Sequence, residues 1–135
     1  MAFVLLAVVT VMLAVQARPA QAQEAVVNEA RSWIGAPYDY SGVGYGVDCS
    51  EFTAAVFAQF GVSLPDDPAI QAGYGVPSNA KAGDLVYFNE YGTGISHIGI
   101  ATGTGTLVHA SSYFGVVAET PIKYISGYAG AVDVY

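Results

Sequence analysis

The 135-residue chain has a single cysteine, Cys49, so no disulfide can form within it. Basic residues are nearly as scarce, with four Lys and Arg against eleven Asp and Glu, a formal net charge of −7. A chain of that sign is repelled by nucleic-acid phosphates and anionic bilayer surfaces, which sets both aside as partners. Histidine occurs only twice, at His97 and His109, and no close-spaced ligand pair such as HxxxH or CxxC is present. Repeats, low-complexity tails and basic runs are missing too, so the chain itself offers no device for attachment to a cell wall.

Long apolar runs are limited to one. Ala2 to Val15 is small and apolar apart from Thr10, and "QARPAQAQE" follows it, where Ala20, Gln21 and Ala22 form a small-x-small cleavage site. Fourteen residues fall short of the ~20 that cross a bilayer, so a removable signal peptide over 1–22 is expected rather than an anchor. No Lys or Arg precedes the run, and no cysteine follows it to take a lipid. Cleavage leaves residues 23–135, which is 135 less 22, or 113 residues, enough for one domain. The leader takes Arg18 with it, so three basic against eleven acidic residues leave −8. The expected product is a secreted monomer, free of the membrane once cleaved.

Along that product, Val26, Val27, Ala30, Trp33 and Ile34 recur at helical spacing, with Gly35 and Pro37 as the stop. A Gly- and Tyr-rich loop, "APYDYSGVGYGV", runs to Asp48. Phe52, Ala55, Val56 and Phe60 then mark a second helix, ended by Gly61. Asp48 is a natural N-cap and Glu51, three residues on, completes a capping-box pattern, which puts Cys49 in the first helical turn. The second half reads as short strands: "LVYF" (85–88), "HIGIAT" (97–102), "TLVHAS" (106–111), "GVVAET" (115–120) and "AGAVDVY" (129–135). Helices first and consecutive strands later predict an α+β domain with an antiparallel sheet.

The sheet pattern constrains the histidines. A hairpin centred on Thr104 sets 97 against 111 and 99 against 109, making His97 and His109 diagonal neighbours on one face, ~7 to 8 Å apart at Cα. Ile98, Ile100, Val108 and Ala110 then share the opposite face as a coherent core surface. A one-residue slip would spoil that surface and separate the imidazoles.

A lone cysteine is most often a small buried hydrophobe. Here it starts a helix, where the dipole favours thiolate by at most ~2 kcal/mol, enough to bring a thiol from ~8.5 to ~7. It also adjoins a Gly-rich loop that can expose it, and an unpaired thiol in an oxidising compartment is a liability unless it has a use. Most of the ten tyrosines are expected in packing roles, those in the loop before Cys49 excepted.

The motifs "GAPYDYSG", "DCS", "GVSLP", "KAGDLVYF", "SHIGI", "LVHASS" and "YAGAVDVY", in that order, resemble the NlpC family of cysteine peptidases. The resemblance implies a reduced papain-like fold, N-terminal helices packed on a mostly antiparallel five- to six-stranded sheet. It also implies cleavage of peptidoglycan stem peptides between γ-linked D-glutamate and the diamino acid, with no cofactor or metal. By that likeness Cys49 is the nucleophile, His97 the general base and His109 the polar residue that orients it. Tyr38 matches a loop tyrosine near the oxyanion, and Asp48 and Ser96 match residues lining the subsite for the substrate's N-terminal side. Two departures stand out: Glu51 replaces a usual glycine, and "LPDDP" replaces polar or basic residues after "LP". Two other readings stay open, a catalytically silent peptidoglycan-binding module and a hydrolase with zinc held by Cys49, His97 and His109.

Overall fold

A computed structural model of the chain describes residues 20–42 and 44–135. The signal-peptide expectation falls mostly on residues 1–19, outside the described residues. Among the described residues, no helix is long and apolar enough to cross a membrane.

The first helix, α1, spans 20–32 and buries Val26, Val27 and Ala30, as its apolar spacing predicts. It stops two residues earlier than expected. The amides of Trp33 and Ile34 reach back only three residues, to Ala30 and Arg31, and Gly35 at φ +94° turns the chain away, leaving Ile34 exposed. Trp33 packs edge-on to Phe52, its ring centroid 6.0 Å away, and so joins α1 to α2 (Cys49–Ala58).

Six strands follow: β1 (Val76–Ser78), β2 (Leu85–Phe88), β3 (His97–Ala101), β4 (Thr106–Ser111), β5 (Val116–Pro121) and β6 (Tyr128–Asp133). They form one sheet in the order β1-β6-β2-β3-β4-β5, antiparallel throughout. The expected α+β class is what forms. Strand β1 is the one the pattern did not suggest, because Pro77 argues against a strand; it is tolerated here because β1 is an edge. The short helix α3 (Pro68–Ala72) was also unforeseen, although Asp67 as N-cap and Pro68 at its start are good initiation signals.

The sheet has two apolar faces. Leu85, Ile98, Ile100, Val108 and Ala110 pack on α1 and α2 with Val26, Phe52 and Val56, while Val86, Phe88, Ala101, Leu107 and Ala131 cluster separately. Ile100 pairs with Val108 and Ala101 with Leu107, the register expected for a hairpin centred on Thr104. The histidines therefore share the face away from the helices.

Candidate active site

Cys49 owes its position to a well-capped helix start. The Asp48 carboxylate accepts the Glu51 N–H at 2.8 Å, and the Glu51 carboxylate accepts the Asp48 N–H at 3.0 Å, the reciprocal pair the sequence predicts. Beneath this turn lies Gln71 of α3, fully buried, whose amide donates to the carbonyls of Ser50 at 2.9 Å and Pro65 at 2.8 Å and accepts from the Thr53 hydroxyl. The acids of "LPDDP" are likewise structural: Asp66 accepts the Ser50 hydroxyl at 2.6 Å, and Asp67 caps α3. Both family departures, Glu51 and "LPDDP", thus serve to hold the turn that carries Cys49.

The loop before Cys49 is pinned by one buried carboxylate. Asp39 accepts from the amides of Ser41, Gly42 and Gly44, and these bonds, Gly44 foremost, hold its carboxyl below the usual range. Where the loop crosses back over Pro37, only Gly46 fits, since a Cβ there would lie 2.0 Å from the Pro37 carbonyl oxygen. This delivers Tyr38 beside Cys49. Burial first, then the nearby Cys49 and Asp48, push the Tyr38 phenol up to about 12, so it remains a hydrogen-bond donor at any working pH.

The Cys49 side chain is buried, and the backbone N–H groups of Ile98 and Ser50 near it place it against the start of β3. Its thiol is not poised near 7 as the helix start alone would suggest. Burial, then the Asp48 carboxylate, raise it to about 11; the two amide bonds oppose this and Glu90 adds to it. His97 is shifted down by burial, against a pull from Glu90. Both shifts favour the uncharged forms, thiol and imidazole.

The histidines meet as the register requires. His97 Nε2 lies 2.8 Å from His109 Nδ1, and His109 Nε2 lies 2.9 Å from the hydroxyl of Thr120 on β5. Gly99 makes room: a Cβ there would come within 2.6 Å of Leu107 Cδ1 and 2.9 Å of His109 Cβ. His97 Nε2 is committed to His109, which leaves Nδ1 as its free nitrogen; a ring that takes a proton at Nδ1 carries its own on Nε2. His109 then accepts at Nδ1 and donates from Nε2 to Thr120. Both its nitrogens are engaged, so His109 would have to give up one of these bonds to serve as a zinc ligand. Neither Thr120 nor Gly99 was singled out from sequence, where nothing distinguishes them from other strand residues.

Burial, reinforced by the neighbouring His97, drives His109 down to about 3. An imidazole held neutral in the fold but free to protonate near 6.5 when unfolded makes the unfolded state bind more protons below pH 6.5. Its contribution is fully present above 6.5 and is lost progressively as pH falls toward 3. At pH 4.5 the loss should be ~2 to 3 kcal/mol relative to pH 7.5. The measurement is Tm against pH for the wild type and His109→Asn, and the variant's curve should be flatter between 6.5 and 4. Parallel curves would mean that His109 titrates normally.

Ser96 does not stand free in the site. Its hydroxyl receives the Glu90 N–H at 3.1 Å and donates to the Glu90 carboxylate at 3.1 Å, so what it presents is Glu90. Asp48 is similar: Oδ1 is occupied as the cap, which leaves only Oδ2 for another partner. A cleft of about 370 Å³ opens on the imidazole side, lined by Glu90, His97, His109, Thr120 and the aromatic rings of Tyr113, Phe114 and Tyr124.

The sequence pattern of the NlpC/P60 family matches residues 35–128, spanning Tyr38, Cys49 and both histidines. The chain belongs to the NlpC/P60 family. It is 44% identical over 104 residues to a gamma-DL-glutamyl hydrolase of Bacillus subtilis, covering 72% of this chain and 25% of that one. A probable endopeptidase of Corynebacterium glutamicum is 37% identical over 117 residues, covering 83% and 54%. Among solved structures, the peptidoglycan hydrolase RipB of Mycobacterium tuberculosis superposes with a TM-score of 0.76 at 27% identity, over 87% of this chain and 67% of that one. This NlpC/P60 domain thus spans a quarter to about half the length of the curated relatives it matches.

Proposed function

We propose that this NlpC/P60 chain is an exported cysteine endopeptidase that hydrolyses the γ-D-glutamyl–diamino acid bond of peptidoglycan stem peptides. The observation that supports it most is the chain of contacts from His97 through His109 to Thr120, which leaves one nitrogen of His97 free, on the residue next to Ile98, whose amide faces Cys49. His97 Nδ1 takes the Cys49 proton as the sulfur attacks the amide carbon. The oxyanion is met by the Tyr38 hydroxyl and by the backbone N–H of Cys49, which the helix cap leaves free. His97 then gives its proton to the leaving amine, and water activated by the same nitrogen hydrolyses the thioester. His109 stays neutral throughout and so can accept from the imidazolium.

Asp48, whose Oδ2 the helix cap leaves free, can receive the free amine of the residue preceding D-glutamate. The γ-glutamyl specificity named for the Bacillus relative agrees with this choice of bond. A silent binding module would have no use for a thiol and two correctly linked imidazoles. The test is mass spectrometry of products from defined stem peptides and from intact sacculi. A new diamino acid N-terminus is expected, and cleavage at any other bond would refute the assignment.

A further inference from the structure

The cleft on the imidazole side has an electrostatic character that the chemistry so far does not use. Of the residues lining it, Glu90 is the only acid and no Lys or Arg is present; the rest are the two histidines, hydroxyls of Ser111, Ser112, Thr120 and Ser126, and apolar or aromatic groups. Glu90 is held in place from both ends by the Ser96 hydroxyl, which engages its backbone N–H and its Oε1. Among the described residues no cation pairs with it. Arg31 is taken by Glu119, and Lys81 by Asp84 and Asp133. Lys123 sits 5.6 Å from the Tyr124 ring centroid and lines an adjoining, more open depression that shares Tyr124 and Ile125 with the cleft.

Glu90 is thus a half-buried carboxylate with a fixed position and no charged partner, and a bound cation would supply one. It also opposes thiolate formation at Cys49, which gives a cation at Glu90 a second effect. The leaving amine is protonated by His97, so the residue that carries that amine must lie on the imidazole side, where this cleft is. We propose that the cleft is a subsite for the side chain of the leaving diamino acid and that it selects a primary alkylammonium, with Glu90 as the counter-charge. The proposal rests on the γ-glutamyl reading above.

The walls suit such a group. Tyr113, Phe114 and Tyr124 offer apolar surface to a methylene chain and negative ring faces to an ammonium. A diamino acid whose side chain ends in both an ammonium and a carboxylate would instead bring a second anion against Glu90, with no lining cation to meet it. Lysine-type stems are therefore preferred over those with a free distal carboxylate.

The experiment compares three tripeptides, L-Ala-γ-D-Glu-L-Lys, its Nε-acetyl derivative and the meso-diaminopimelate analogue, with the wild type and Glu90→Gln. The wild type should show kcat/KM about tenfold higher for the lysine peptide than for either other, carried mainly by KM, as expected for one partly exposed charge-assisted contact. In Glu90→Gln the lysine-to-acetyl-lysine ratio should fall toward one. Each ratio is taken within one protein, so a general loss of rate cancels. Cleavage of all three peptides without preference, or a ratio unchanged by Glu90→Gln, overturns the ammonium subsite and leaves the γ-glutamyl reading standing. Cleavage of none overturns both.

Discussion

Cys49→Ala is expected to leave a folded protein with no detectable hydrolysis. The thioester can form on no other side chain, because Cys49 is the only thiol, and the hydroxyl of the adjacent Ser50 is turned to Asp48 and Asp66. Folding should tolerate the change. The capping box, the Gln71 clamp and the buried faces of Phe52 and Val56 that fix α2 do not involve the sulfur, and removing one buried sulfur costs on the order of 1 kcal/mol. Circular dichroism and Tm measured beside activity separate lost chemistry from lost structure. Residual turnover in a folded variant would sink the thiol mechanism. The same thiol makes a second signature available. With its resting value raised to about 11, alkylation by iodoacetamide should keep accelerating as pH rises beyond 9, whereas a preformed thiolate–imidazolium pair would react at a constant rate from mildly acidic pH upward.

How far the site could be read from sequence follows from which interactions are local. The capping box around Cys49 uses residues three apart, and the register of the β3–β4 hairpin is enforced by Ile98, Ile100, Val108 and Ala110 across a short turn, so both were legible. Ser96, Asp48 and Tyr38 were found as neighbours of the site, yet their hydrogen-bond commitments were not, because these depend on Glu90, on the helix cap and on loop closure around Asp39. The thiol's electrostatics were misjudged for a related reason. Burial under the Gly-rich loop and the proximity of Asp48 and Glu90 outweigh the helix dipole, and burial is a property of the whole fold. Thr120 was invisible because its link to His109 depends on the pairing of β4 with β5, a register that sequence spacing alone did not establish.

The second large effect tests that link. His97→Ala removes both the base for the thiol and the acid for the leaving amine, and should lower kcat by ~10² to 10⁴ or more with the fold intact. His109→Asn should be milder, since an amide oxygen placed near the former Nδ1 can still accept from His97 Nε2. Thr120→Val is the discriminating variant. It keeps the shape of the side chain but deprives His109 Nε2–H of its acceptor, which favours the other tautomer, with the proton on Nδ1. That proton would then point at His97 Nε2, displacing the His97 proton to Nδ1, where it blocks acceptance from Cys49. The fault is one of proton placement rather than packing, so kcat should fall with KM little changed. Thr120→Ser, which restores the hydroxyl, should recover most of the rate. Nitrogen NMR of labelled imidazoles reads the tautomers directly: Nε2–H on both rings in the wild type, and loss of that state in Thr120→Val. If Thr120→Val retained full kcat, His109 would hold its tautomer without help and the chain would end at the second imidazole. If His109→Asn were more damaging than His97→Ala, the two histidines would have to exchange roles, and the nitrogen that takes the thiol proton would belong to the other ring.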